Sequence, residues 1–346
     1  MLFAATAHLL HVGMPQRQPE SALVAPKLRS SAYQGSTKLA SCQYVPSPVE
    51  LEWTSAKAVG KICAIADRDS QVNAAHEWLT YVQTSKQGTQ QRPPPPSLSR
   101  WECADGSVEY IEPLVGVARH PFARCNCPHA RKDVQRVNLY NITYLMLAQG
   151  SCDAPATRRS NLFYDLGCSV YGTGTKQDSD RGSAYGPSLP LFDDMYRQQC
   201  LKLDHMYGWE LRQMNLTEWW QFVPDDVAPR LTFYNLPVVA QEIPHSNSSF
   251  FGRLKETAKP DDFVSVKVDI DHVPTELPLV TSIATRPDIS SLVDEVFFEY
   301  HFWFDNLNFG WQSQKGGQHY TTRTVDDALA LMQSLRRVGV RSHWWI

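Results

Sequence analysis

The stretch from Asn161 to Glu210 constrains the fold of this chain more than any other. An apolar run, Asn161-Leu-Phe-Tyr-Asp165, opens into a turn that holds Gly167, Gly172 and Gly174. A helix-like segment comes next, and a second apolar run, His205 to Trp209, ends on Glu210. Strand, glycine turn, helix, strand and terminal acid is the order in which an α/β sheet holds an adenosine. Glycines let backbone amides approach a ligand with no Cβ in the way. A carboxylate at the tip of the second strand can accept both ribose hydroxyls. The competing reading is a glycine-rich turn with no ligand, and the placing of Glu210 favours the nucleoside. The turn is one residue longer than the usual Asp-x-Gly-x-x-x-Gly form, and a polar insert, Thr173 to Tyr185, precedes the helix. That insert either caps the ligand or marks a lapsed site.

Strand and helix patterns keep alternating downstream, which argues for a mostly parallel sheet. Strands are expected at residues 162–165, 206–210, 231–234, 263–269, 293–300 and 340–345. Helices are expected at about 188–203, 252–258, 275–284 and 325–338, with Gly339 as a C-cap. Upstream, residues 1–48 are rich in Ser, Pro, Gln and Ala without periodicity and read as poorly ordered. Val59, Ile62, Cys63, Ala66, Trp78, Leu79 and Val82 fall at helical spacing and predict one or two helices. Thr84 to Arg100, with Pro93 to Pro96, reads as an extended linker. Residues 101–160 read as a part packing on the core, with a strand over 107–115 and a helix over 133–149.

A chain of 346 residues accommodates one α/β core with an N-terminal extension. Its net charge of −3 gives no support for a nucleic-acid partner. No apolar run reaches the roughly 18 residues that a membrane-spanning helix needs. The opening Met1 to Gly13 lacks basic residues and is broken by His8 and His11, so it matches a signal peptide poorly. Eight cysteines (42, 63, 103, 125, 127, 152, 168 and 200) suit reduced thiols or disulfides. Sequons at Asn141, Asn215 and Asn247 tilt the compartment towards the secretory pathway or Golgi lumen over the cytoplasm, without deciding it.

Other residues carry candidate chemistry. Asp262 to Asp271 reads as a buried strand ending in acids, and Asp269 and Asp271 alternate with Ile270, so both carboxylates are expected on one side of its tip. Such acids can bind a divalent cation or position a base, or be an ordinary solvated strand end. Glu299 and His301 lie two apart in an aromatic strand and share a face, as a general base or as a satisfied polar pair. Cys125-Asn-Cys127-Pro-His129 lacks the spaced pairs of a zinc site, so no metal site is assigned and disulfides or free thiols are expected. Trp219-Trp220 and Trp344-Trp345 suit sugar stacking, though burial is the commoner use of paired aromatics.

Residues 161–346 resemble a class I, S-adenosylmethionine-dependent methyltransferase of the FkbM type. Phe163-Tyr-Asp165-Leu-Gly167 is similar to that family's cofactor loop and Tyr207-Gly-Trp-Glu210 to its ribose-binding strand. Val266-Lys267-Val-Asp269-Ile-Asp271 resembles its Lys-Ile-Asp-Val-Glu-Gly block, Phe298-Glu299-Tyr-His301 its Glu-x-His strand, and Leu335 to Gly339 its closing helix turn. Where the family shows Glu-Gly, this chain has Asp271-His272. The resemblance implies a seven-strand-type, Rossmann-like methyltransferase sheet and methyl transfer to a hydroxyl of a sugar, glycan or small molecule. It implies S-adenosylmethionine as cofactor, bound by Asp165, Gly167, Gly172 and Glu210, with Asp269, Asp271, Glu299 and His301 orienting or deprotonating the acceptor. Two rivals stand beside it. Asp269-Ile-Asp271 is also the Asp-x-Asp of a metal-dependent glycosyltransferase. The lengthened turn and the missing glycine after Asp271 suit a non-catalytic relative that kept only the sheet.

Overall fold

Six parallel strands form the main sheet, and their order opens a crevice at one edge. The computed structural model describes residues 39–55, 62–86, 93–115, 144–150, 159–172, 188–301 and 323–345. In chain order the strands are β1 (Cys42–Val45), β2 (Ser99–Cys103), β3 (Val108–Ile111), β4 (Asn161–Leu166), β5 (His205–Trp209), β6 (Leu231–Tyr234), β7 (Phe263–Val268), β8 (Glu295–Phe298) and β9 (Arg341–Trp344). The helices are α1 (Pro48–Ser55), α2 (Ile62–Ala66), α3 (Asp69–Lys86), α4 (Ser188–Gln198), α5 (Leu216–Trp220), α6 (Phe250–Thr257), α7 (Val273–Thr285), α8 (Pro287–Ser290) and α9 (Val325–Arg337). None of the described helices is long and apolar enough to cross a membrane.

The large sheet runs β6-β5-β4-β7-β8-β9, with every pair parallel. Counted from β4 this is 3-2-1-4-5-6, the order of the doubly wound dinucleotide-binding sheet. The fold is thus the expected Rossmann-like α/β class. All six strands drawn from the sequence of residues 161–346 are in this sheet, and among the described residues it has no seventh, which the resemblance implied. Connections leave β4 and β7 in opposite directions, so the crevice lies at their carboxyl ends.

Alternation along the strands separates two faces of different character. On one face Tyr164, Leu166, Val264, Val266, Val268, Val296 and Phe298 pack under α6, α7 and α9 in one continuous apolar core. The other face carries Phe163, Phe263 and Phe297 against Phe192 and Tyr196 of α4, but polar groups are interleaved among them. The Tyr196 hydroxyl donates to Glu295 at 2.6 Å and is hydrogen-bonded to the Ser265 hydroxyl at 2.7 Å. His343 joins Glu295 on one ring nitrogen (2.8 Å) and Glu112 on the other.

The N-terminal residues depart most from expectation. Cys42–Val45, in the stretch read as poorly ordered, is a strand whose alternate residues Cys42 and Tyr44 are buried. It pairs antiparallel with β2, and a disulfide joins the register partners Cys42 and Cys103. Strand β2 begins inside the segment read as linker, where Ser97, Leu98 and Ser99 are buried. Buried polar bonds hold this small sheet to α9. Arg336 donates to the Tyr44 hydroxyl at 2.9 Å and the Glu112 carbonyl at 2.8 Å. Glu50 accepts from Tyr44, Ser99 and Gln333. Residues 49–83 contribute to three helices rather than one or two.

Residues 144–150 are non-helical, against the helix expected over 133–149. Buried carboxylates take their amides instead: Met146 donates to Glu112 and Ala148 to Glu295. The rest of that predicted helix, the insert Thr173 to Tyr185 with Gly174, and the Cys125–His129 cluster lie outside the described residues. Helix α9 starts at a Thr324/Asp327 capping box, and at its other end Gly339 follows with φ +86°, the cap position predicted for it.

His343 should make stability depend on pH. Burial works against its charge, but Glu112 and Glu295 outweigh that and raise its pKa from 6.5 to about 9. A raised folded-state pKa gives stability that is complete below about pH 6.5 and lost as pH rises through 9. The difference is on the order of 3 kcal/mol. Urea unfolding at pH 6.5 and pH 9.5 should show that loss, and His343→Gln should flatten it.

Candidate functional site

The crevice is built from the residues just past the carboxyl ends of β4, β5 and β7. Gly167 leaves β4 at φ +95°, and a Cβ there would lie 1.7 Å from the Asp269 carbonyl oxygen. No other residue fits a backbone approach that close. The amides of Gly167 and Cys168 both donate to the Trp209 carbonyl at 3.0 Å, and Asp269 donates to Leu166 at 3.0 Å. The three strand ends are thereby stitched together beyond the sheet.

Glu210 stands just past β5, as the sequence pattern requires. One carboxylate oxygen accepts the Ser169 amide at 3.1 Å and the other the Arg212 amide at 2.6 Å. Trp219 donates to the Ser169 carbonyl at 3.1 Å. The glycine turn and the acid therefore form one bonded unit, with Glu210 half-buried at its rim. Each carboxylate oxygen keeps a further lone pair for a ligand hydroxyl. Gly172 ends the described part of the turn.

Asp165 has a different position from the one expected of a cofactor contact. It is fully buried; its Oδ2 accepts from Ser188 at 2.5 Å and its Oδ1 from Lys267 at 3.1 Å. Lys267 Nζ also reaches the Gly167 carbonyl at 3.1 Å and Asp269 Oδ2 at 3.0 Å. Burial alone would lower the lysine pKa, but the two carboxylates outweigh it and hold the ammonium charged. Burial raises the pKa of Asp165, opposed by Lys267 and the Ser188 hydroxyl. Asp165 thus positions the turn through Lys267 and Ser188.

Strand β7 ends at Val268, so Asp269 and Asp271 lie beyond it rather than on an alternating strand face. Asp269 turns towards Lys267 and accepts from the Trp345 indole at 3.2 Å. Asp271 has φ +60°, has a side chain 64 % exposed, and lies 3.6 Å from His301. The strand alternation expected to place both carboxylates is absent, yet both lie beside Glu299, which is hydrogen-bonded to Asp269 and has a carboxylate oxygen within 4.8 Å of one of Asp271. A side chain with no assigned role produces the turn: Glu276 accepts the amides of Ile270 and Asp271 at 2.8 and 3.1 Å. Burial lifts the Glu276 carboxyl to about 7.

Glu299 and His301 lie just past the end of β8 and do come together. His301 Nε2 is 3.6 Å from Glu299 Oε2 and 3.6 Å from Asp271 Oδ1. Burial pushes Glu299 far above the carboxylate range, and Asp269, its hydrogen-bonding partner, adds to the rise. Two clusters result: the glycine turn with Glu210, and the acids with His301. Asp269 touches both.

Sequence reasoning assigned no role to Lys267, Ser188 or Glu276. Lys267 carried a legible signal, being the one charge in the run Phe263 to Val268. Trp219, Trp344 and Trp345 are buried, as paired aromatics usually are. Of the cysteines, Cys200 is also disulfide-bonded and Cys168 is a buried free thiol. Comparison with protein-family models, with curated proteins and with solved structures returned no match.

Lys267→Met leaves Asp165 buried opposite an apolar side chain. It should cost about 3–5 kcal/mol, the range for one partner lost from a buried ion pair. Urea unfolding measures this, and adding Asp165→Asn to the variant should recover part of the loss.

Proposed function

We propose that the chain is an S-adenosylmethionine-dependent methyltransferase acting on a hydroxyl of a sugar, glycan or small molecule. One observation carries the reading: at the switch point of a 3-2-1-4-5-6 sheet, a glycine that admits no Cβ is bonded through its turn to an acid closing the next strand. This donor set suits a nucleoside. Gly167 lets the turn pack against the Asp269 backbone and so sets the Ser169 amide against Glu210, whose carboxylate offers further lone pairs to two vicinal hydroxyls.

The chemistry this cofactor supplies is a methyl group activated by a sulfonium. The protein then has to align acceptor and donor in line. It also has to take the hydroxyl proton as the new bond forms. Gly167, Gly172 and Glu210 serve the cofactor side in this reading, with Asp165 bracing the turn from beneath. Asp269, Asp271, Glu299 and His301 serve the acceptor side. Asp271 is the most open of these and the best placed to meet an incoming hydroxyl.

The glycosyltransferase alternative needs Asp269 and Asp271 to act as a pair on one metal-bound diphosphate. Asp269 is already engaged by the Lys267 ammonium and the Trp345 indole, which suits it less to share a metal ion with Asp271 and supports methyl transfer.

Isothermal titration with S-adenosylhomocysteine, beside UDP-sugars with manganese, tests the reading. Micromolar binding of S-adenosylhomocysteine is expected. Glu210→Ala should weaken it about ten- to a hundredfold, the worth of hydrogen bonds to a charged group, in a protein that still unfolds cooperatively though at a lower temperature, because the Ser169 and Arg212 amides lose their acceptor. Manganese-dependent binding of a UDP-sugar alone would move the assignment to glycosyl transfer. Silence from both in a folded protein would favour the non-catalytic relative.

A further inference from the structure

We propose that Asp271, Glu299 and His301 form a binding site for a divalent transition-metal ion at the carboxyl edge of the sheet. Their ligand atoms converge within 4.8 Å of one another. His301 Nε2 stands 3.6 Å from a carboxylate oxygen on each side. That spacing is longer than a hydrogen bond. It matches donor atoms that share one ion, since tetrahedral bonds of about 2.1 Å set ligand atoms roughly 3.4 Å apart.

The ligands come from the segments that follow two neighbouring parallel strands. Val268 and Phe298 are register partners, so Asp271 and the Glu299–His301 pair emerge side by side just past the sheet. Glu299 and His301 are buried and Asp271 is open to solvent, so the site is enclosed on the protein side and accessible on the other. Three protein ligands with one open side is the arrangement of a catalytic rather than a structural ion site. With Glu299 releasing its proton as the ion enters, an imidazole with two carboxylates suits manganese or zinc, and the nitrogen disfavours magnesium and calcium. The nearby Lys267 does not take the ion's place, because its ammonium binds Asp165, Asp269 and the Gly167 carbonyl.

Binding of the ion stands on this geometry alone. Its chemical use, lowering the pKa of an acceptor hydroxyl, rests on the transfer reaction proposed above.

The test uses the full chain, stripped with chelator and titrated with Mn²⁺ alone, with free ion followed by electron paramagnetic resonance. One saturable Mn²⁺ per chain is expected. Asp271→Asn, at an exposed position, should weaken it about tenfold or more, since even an outer-shell partner is worth that much. His301→Gln should do the same, while Glu218→Gln, an exposed acid elsewhere, should leave binding unchanged. Absence of saturable binding in the unmodified protein would overturn the proposal. So would binding that survives both Asp271→Asn and His301→Gln. Titration with S-adenosylhomocysteine reads the other cluster, so failure of the cofactor reading and failure of the ion site give different results.

Discussion

Everything at the carboxyl edge of the sheet hangs on the ammonium of Lys267. It lies between the carboxylates of Asp165 on β4 and Asp269 after β7, and it holds the Gly167 carbonyl as well. A buried charge is tolerable only when paired and hydrogen-bonded, so these bonds fix the ends of two adjacent strands together. The fixing is tight enough that residue 167 has no room for a Cβ. The same bonds turn Asp269 inwards and leave Asp271, two residues on, to face a different partner. One lysine thereby divides the edge into a glycine-turn side and an acid-histidine side.

Much of the α/β core was legible because its elements are long or strongly patterned. Strand β6 falls where the apolar run placed it, and α9 has both its cap signals in the sequence. Short strands hidden in polar sequence were not legible. Strand β1 has four residues and buries only Cys42 and Tyr44, too brief a pattern to stand out among serines and prolines. What orders it is remote in sequence: a disulfide to Cys103 and bonds from Tyr44 to Glu50 and Arg336. Residues 144–150 misled for a related reason. Their apolar spacing suited a helix, yet Glu112 and Glu295 take two of their amides from outside the segment.

The site shows the same division. Residue types at strand ends were readable, since a doubly wound sheet puts function at its carboxyl edge. Side-chain directions were not. Asp269 and Asp271 looked like a pair because strands alternate, but the strand stops at Val268 and Glu276 captures the amides of Ile270 and Asp271. Asp165 looked like a ligand contact because it ends an apolar run, and a charge on the neighbouring strand claims it instead.

The polar face of the sheet has a wider consequence. From Ser265 the buried polar groups connect through the Tyr196 hydroxyl to Glu295, and on through His343 to Glu112, whose carbonyl accepts from Arg336. An apolar interior would hold these layers together by area alone and would tolerate small shifts between them. Hydrogen bonds among buried charges do not, because each group displaced from its partner meets the full cost of desolvation. The N-terminal sheet is therefore held in register with β8 and β9, and just past β9 the Trp345 indole donates to Asp269. Asp269 is also the hydrogen-bonding partner of Glu299, so the acid-histidine cluster takes its position from the same framework. Reactions that transfer a group between two bound molecules need two sites at a fixed separation. A carboxyl edge held by Lys267 on one side and by this buried network on the other meets that requirement in a way that a sheet stabilised by apolar packing alone would not.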